Sequence, residues 1–170
     1  MALSRSIRLF LALLGGIGLS LAACSSSGKS FLKKAMEGDN SEMRLGQMAE
    51  QRGSSAELRA FGHMLLIDHA KAKVDALPVV RAHGLAPSDE MASEAKNEAT
   101  KLAGLSGAAF DREFASYMVK DHEQDIEDFT KAAEGSDQDT ARLARTTLPV
   151  LRKHLATARY LLDSQKLATG

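Results

Sequence analysis

Glu42, His69, His122 and His154 carry the chemistry this sequence offers. One carboxylate and three imidazoles form a donor set for a single transition ion, zinc or copper, because both metals accept imidazole nitrogen beside a carboxylate oxygen. Buried together, the same four groups could instead satisfy one another by hydrogen bonds and fix the register of the elements that carry them. Auxiliary groups stand nearby. Asp68 precedes His69 as a rim or outer acid, and Asp125 lies one turn after His122, where it could orient that ring. Met118, one turn before His122, or Met64 could lend a soft sulfur to copper, although methionine at helical spacing also serves as core filler.

Four elements must bring these residues together. Phe31, Ala35, Gly38, Glu42, Leu45 and Ala49 recur at three- and four-residue steps, the stripe of an amphipathic helix. Leu58, Gly62, Leu65, His69, Ala72 and Ala76 make a second stripe, and Phe114, Met118, His122, Ile126, Phe129 and Ala133 a third. Leu148, Leu151, Leu155, Ala158 and Leu162 make the fourth, with His154 on its flank. No stretch alternates at period two with β-branched residues, so no strand is expected. The spacing predicts helices over about 30–52, 55–83, 108–134 and 139–164. Each of the four polar residues then falls within a turn of its helix midpoint, and midpoints of packed helices of similar length share one level. At about 1.5 Å per residue, the spread along the axis is roughly 4 Å. A polar layer across the bundle centre follows.

Turn signals separate these elements. Gly53-Ser54-Ser55 is a short turn that forces the first two helices antiparallel. His83-Gly84 reads as a helix C-terminus, with Pro87 beyond it as a stop. The long connection from Leu85 to Gly107 contains a short polar helix, Asp89 to Leu102, and Gly135-Ser136-Asp137 divides the last two helices. Two stretches weaken the pattern. Gly38-Asp39-Asn40-Ser41 is poor helix sequence, and Pro149 favours a late start of the fourth helix, with Thr147 as its N-cap. The fold class is thus all-α, a four-helix bundle with a long crossover connection containing a short helix.

The N-terminus has a different character. Arg5 and Arg8 precede an apolar run from Leu9 to Leu21, too short for a span of about 20 residues but suited to a secretory signal peptide. It ends in Leu21-Ala22-Ala23-Cys24, which resembles the bacterial lipobox, and Cys24 is the one cysteine of the chain. Residues 1–23 therefore read as a lipoprotein signal peptide and Cys24 as the lipid attachment site. Residues 24–29 read as a flexible tether, 30–164 as the bundle and 165–170 as a tail. The expected partner is a membrane, reached through the N-terminal lipid, on the periplasmic side of the envelope. Ser25 after the cysteine favours the outer membrane over the inner.

Composition narrows the rest. The chain has 22 basic and 22 acidic residues, and loss of Arg5 and Arg8 with the leader leaves a slight acidic excess, which excludes a nucleic-acid binder by charge. With no thiol pair, no disulfide can brace the fold, and stability falls to one hydrophobic core. The run Asp121, Glu123, Asp125, Glu127 and Asp128 reads as a solvated helix face. His63 falls about 240° round its helix from His69, outside the layer, and His83 is explained by the helix C-terminus. Tyr117 and Arg152 could join the layer, though no spacing requires it. No nucleophile elbow, phosphate loop or cysteine–histidine pair occurs.

The stretches Phe31–Gly46, Phe61–His69, Leu105–Asp111 into Met118–His122, and Thr147–His154 resemble the bacterial envelope family catalogued as domain of unknown function 4142, with matching order and spacing along the chain after the tether. The resemblance implies a ferritin-like four-helix bundle, periplasmic or attached to the outer membrane, with no assigned chemistry. A ferritin-like fold raises the question of a di-iron centre, which takes two Glu residues and two Glu-x-x-His motifs. The sequence has no Glu-x-x-His, and Glu42 is its one convincing core carboxylate. Two functional classes remain. One is a tethered structural, interaction or stress-protection module, compatible with an envelope protein partner and needing no cofactor; the sequence favours it. The other is a metal-binding or metal-handling protein using the central layer.

Overall fold

The computed structural model describes residues 18–167, with side chains from 27 to 164. Five helices follow in order, α1 (Gly18–Arg52), α2 (Ala56–Ala82), α3 (Ser93–Ala103), α4 (Gly107–Ala133) and α5 (Gln138–Leu167), with no strand among the described residues. Four are long and α3 is the short helix of the crossover, so the all-α bundle is as expected. No described helix is long and apolar enough to cross a membrane. The apolar leader up to residue 17 and the side chain of Cys24 lie outside the described residues.

The helices differ from expectation in three places. Where a tether was expected over 24–29, the α1 backbone is already helical, beginning at Gly18. No proline interrupts the chain before Pro78, so nothing stops the helix from extending back through Leu- and Ala-rich sequence. Second, Gly38-Asp39-Asn40-Ser41 does not break α1: the Ser41 hydroxyl donates back to Glu37 O at 2.6 Å, and the other bonds of its polar side chains reach beyond the helix. Asn40 Nδ2 donates to the carbonyls of Ser88 and Glu90 at 2.8 and 2.9 Å, and Ser41 Oγ accepts from Ala92 N at 3.0 Å. That turn buttons the crossover onto α1. Third, α5 starts at Gln138 and runs through Pro149, so Thr147 is not its cap. Proline there leaves the Arg145 carbonyl without its helical donor, on a face open to water.

The connections determine the topology. Ser54 and Ser55, in the α1–α2 turn, give Asp111 four hydrogen bonds of 2.8–2.9 Å through their amides and hydroxyls. Arg52 donates to the carbonyls of Leu102, Ala103 and Leu105. The start of α4 is thereby held beside the start of α2, making those two helices parallel and every neighbouring pair of long helices antiparallel. Within the first pair the backbones nearly touch. A Cβ placed on Gly62 would lie 2.6 Å from Gly46 O and 2.6 Å from Glu50 N. This close crossing falls one turn after Glu42 and about two turns before His69.

The core is divided. At the end bearing the α1–α2 turn, Leu45, Phe61, Leu65, Phe110, Phe114 and Met118 pack together. At the other end lie two smaller clusters, one with Leu32, Met36 and Val80 and one with Phe129, Leu148 and Leu151. Burying each such side chain contributes roughly 1.5–3 kcal/mol. Near the end of α5 it is Leu161, at 3% exposure, that is buried, while Leu162 is only partly so. Between the apolar ends sits the polar layer.

Candidate metal centre

Glu42 comes from α1, His69 from α2, His122 from α4 and His154 from α5, and none is more than 3% exposed. His154 lies at the centre rather than on the flank of its stripe, fully buried. The three rings form a triangle, with centroids 6.0 Å apart for His69–His122, 5.2 Å for His69–His154 and 5.3 Å for His122–His154. One nitrogen of each points at an oxygen that only accepts. His69 Nδ1 donates to Asp39 Oδ1 at 2.9 Å, His122 Nδ1 to Met118 O at 3.0 Å, and His154 Nε2 to Asp68 Oδ2 at 2.9 Å. Those nitrogens must carry the protons, so in the neutral rings the lone pairs fall on His69 Nε2, His122 Nε2 and His154 Nδ1.

These three nitrogens are buried and have no hydrogen-bond partner. One ligand nitrogen from each ring lies within 4.8 Å of the other two. Both oxygens of Glu42 are likewise buried without a partner. Its Oε2 lies 3.0 Å from His69 Nδ1, but off the line of an N–H already taken by Asp39, and its Oε1 lies 3.2 Å from the unprotonated His122 Nε2. Each unpaired buried polar group costs about 1–3 kcal/mol.

The electrostatics follow from crowding charge into a dry layer. Burial acts to raise Glu42, but the charges of His69, His122 and His154 outweigh it and bring its carboxyl down to about 2. Burial likewise opposes charge on His69, yet Glu42 and Asp39 lift it well above the usual imidazole range. Burial pushes His122 down, and burial with the charge of His69 pushes His154 down to about 4. One imidazolium, on His69, is what the layer accommodates.

Several auxiliary residues sit otherwise than expected. Asp68 serves His154, 86 positions away, and not the adjacent His69. Met118 contributes its backbone oxygen to His122. Met64 packs against the apolar cluster. Asp125 does not orient His122, because the protonated Nδ1 of that ring is given to Met118 O. Arg152 is exposed, whereas Tyr117 bonds Asp121 at the edge of the layer. His63 is exposed, bonding Glu50 at 3.0 Å, and His83 bonds Val79 O and Asp137. Glu123 and Glu127 are solvated as expected, but Asp121 and Asp125 are partly buried. Burial and the charge of Glu42 raise Asp121 to about 7 and hold Asp125 well above the carboxylate range. Asp39 was missed because its turn read as a helix breaker; its place three residues before Glu42, on the same face, is the signal that could have found it. Glu42 is therefore not the one core carboxylate.

Residues 19–161 match the family described as Domain of unknown function (DUF4142). Among solved structures, the crystal structure of a DUF305 fragment from Deinococcus radiodurans is similar, with a TM-score of 0.71 at 14% identity over 81% of this chain and 96% of that one. At that identity the likeness concerns the fold. No curated protein gives a significant match.

Proposed function

The chain belongs to the DUF4142 family, and from its buried layer we propose that it binds one transition-metal ion, zinc or copper, through His69, His122, His154 and Glu42, at the periplasmic side of the cell envelope. The observation that carries this is a set of three buried histidines, each with a ring nitrogen that has no hydrogen-bond partner and each bringing a ligand nitrogen within 4.8 Å of the other two. A layer serving only to fix helix register would use those nitrogens on its own members. Here each ring is instead held from behind by Asp39, Met118 O or Asp68 with its lone pair turned inward, which is how outer groups orient metal-ligating histidines. Three neutral imidazoles with one carboxylate suit zinc or copper(II). Burial of all four donors fits holding an ion rather than processing a bulky substrate, so we assign binding or handling of metal and no enzymatic reaction. Envelope attachment rests on Arg5, Arg8, the apolar run and Leu21–Cys24; a Cys24→Ser form released from the membrane fraction is the expected result.

The test is metal content and thermal unfolding of the purified full-length protein. One zinc or copper ion per chain is expected after removal of excess metal, with a rise in melting temperature over the chelated protein. His122→Leu, which keeps bulk and removes a donor, should abolish both. An equal rise in wild type and variant would put the ion elsewhere, and no retained ion would overturn the assignment.

A further inference from the structure

We propose that Glu42 is shared between two cations, the second being an oxygen-preferring divalent ion held between α1 and α4 by Glu42 and Asp121, with Asp125 one turn further along α4. The proposal rests on the histidine site only in that the two ions share Glu42.

The bundle consists of two closely packed hairpins, α1 with α2 and α4 with α5, whereas α1 and α4 meet more sparsely and α3 fills part of the seam between them. Glu42 reaches this seam from α1, and Asp121 and Asp125 are partly buried on α4. Ligand atoms of Glu42, Asp121 and His122 lie within 4.8 Å of one another, a second grouping that meets that of the three histidines at His122. Glu42 is 1% exposed, and both of its oxygens lack hydrogen-bond partners. An ion taken on one oxygen leaves the other buried and unpaired, whereas a bridging carboxylate uses both.

Donor chemistry separates the two positions. With the free imidazole nitrogens, that of His122 included, taken by the first, the second offers carboxylate oxygen, the preference of manganese, magnesium and calcium. Charge points the same way. Three carboxylates share the seam, and nearby cations offset them only in part: the charge of His69 reaches Asp121 and Asp125 and that of Lys120 reaches Asp121 without an ion pair among the described residues, while Lys73 bonds Asn40 and Asp89. A divalent ion there offsets like charges that otherwise disfavour each other.

The test loads chelator-stripped full-length protein with one equivalent of zinc, then with Mn²⁺, and measures both metals after removal of excess. One zinc and one manganese per chain are expected. Asp121→Asn with Asp125→Asn, which preserves shape, should reduce manganese at least tenfold and leave zinc at one. With copper(II) in place of zinc, the Mn²⁺ paramagnetic resonance signal of the wild type should broaden through coupling across the shared carboxylate, a readout that needs no variant. Zinc at one with no manganese overturns this proposal and leaves the histidine site standing. Manganese retained by the double variant, or an unbroadened signal, also overturns it, and retention of neither metal removes both sites.

Discussion

Asp68 Oδ2 lies 2.9 Å from His154 Nε2 and so joins α2 to α5, while its sequence neighbour His69 turns to Asp39 on α1. Adjacent residues thus link one helix to two others, and each link fixes which ring nitrogen faces inward. Asp68→Ala should leave one ion bound at saturation but lower its affinity about 10- to 100-fold, the usual cost of losing an outer partner. Competition against a chromophoric chelator measures this; unchanged affinity would mean that His154 is oriented without Asp68.

The close crossing of α1 and α2 makes a second prediction. In Gly62→Ala the new methyl would meet Gly46 O, Glu50 N and, at 2.9 Å, Ala49 Cβ, none of which is the end of a flexible side chain. The backbones must separate, at a cost of roughly 1–3 kcal/mol, as for other overpacked sites. Since the crossing sets the spacing between Glu42 and His69, metal affinity should fall as well. Chemical denaturation of the metal-free protein isolates the packing term, and stability equal to wild type would show that the helices part freely.

Much of this architecture was legible because it depends on local repetition. The stripes containing Glu42, His69 and His122 follow from helical period alone, and equal helix lengths place the midpoints at one level. His154 required only that its helix be long enough. What stayed hidden depends on partners distant in sequence. Asp39 and Asn40 read as helix breakers until His69 and the crossover carbonyls are beside them. Asp121 and Asp125 read as solvated until α1 and α3 approach α4. Asp111 sits in an ordinary amphipathic pattern, and nothing within it announces the four donors of the α1–α2 turn.

That turn gives a third prediction. Asp111 is fully buried and accepts from both the amides and the hydroxyls of Ser54 and Ser55. Asp111→Ala removes charged hydrogen bonds and strands their donors, an expected loss on the order of 3 kcal/mol. Glu123→Ala breaks an exposed pair with Arg159, 2.7 Å long, and should cost well under 1 kcal/mol. Equal losses in urea denaturation would mean that the turn is not anchored by Asp111.

The last prediction concerns pH in the chelated protein. His154 is depressed to about 4 and His122 is also depressed, both chiefly by burial, so unfolding below the ordinary imidazole value of about 6.5 takes up protons that the folded state refuses. Their contribution is present above that value and is lost as pH falls towards 4. His69 has the opposite sign: its folded value is raised, so its contribution is complete below about 6.5 and is lost as pH rises through the higher folded value. Glu42, brought down to about 2, contributes above the ordinary carboxylate value of about 4.3 and fails only in stronger acid. Between about pH 6.5 and 4 the two depressed imidazoles lose stability as pH falls, whereas Asp121, raised to about 7, and Asp125 and Asp39, also raised, gain it as the folded state takes up their protons. The histidine share is therefore read as a difference: the melting temperature of His154→Leu should fall less with acid, or rise more, than that of the wild type over this window. With metal bound, the three imidazoles must all be neutral and His69 must release its proton, so acid competes with the ion directly and the melting temperature should fall more steeply with acid than in the chelated protein. Parallel melting curves with and without metal over this range would count against histidine ligation.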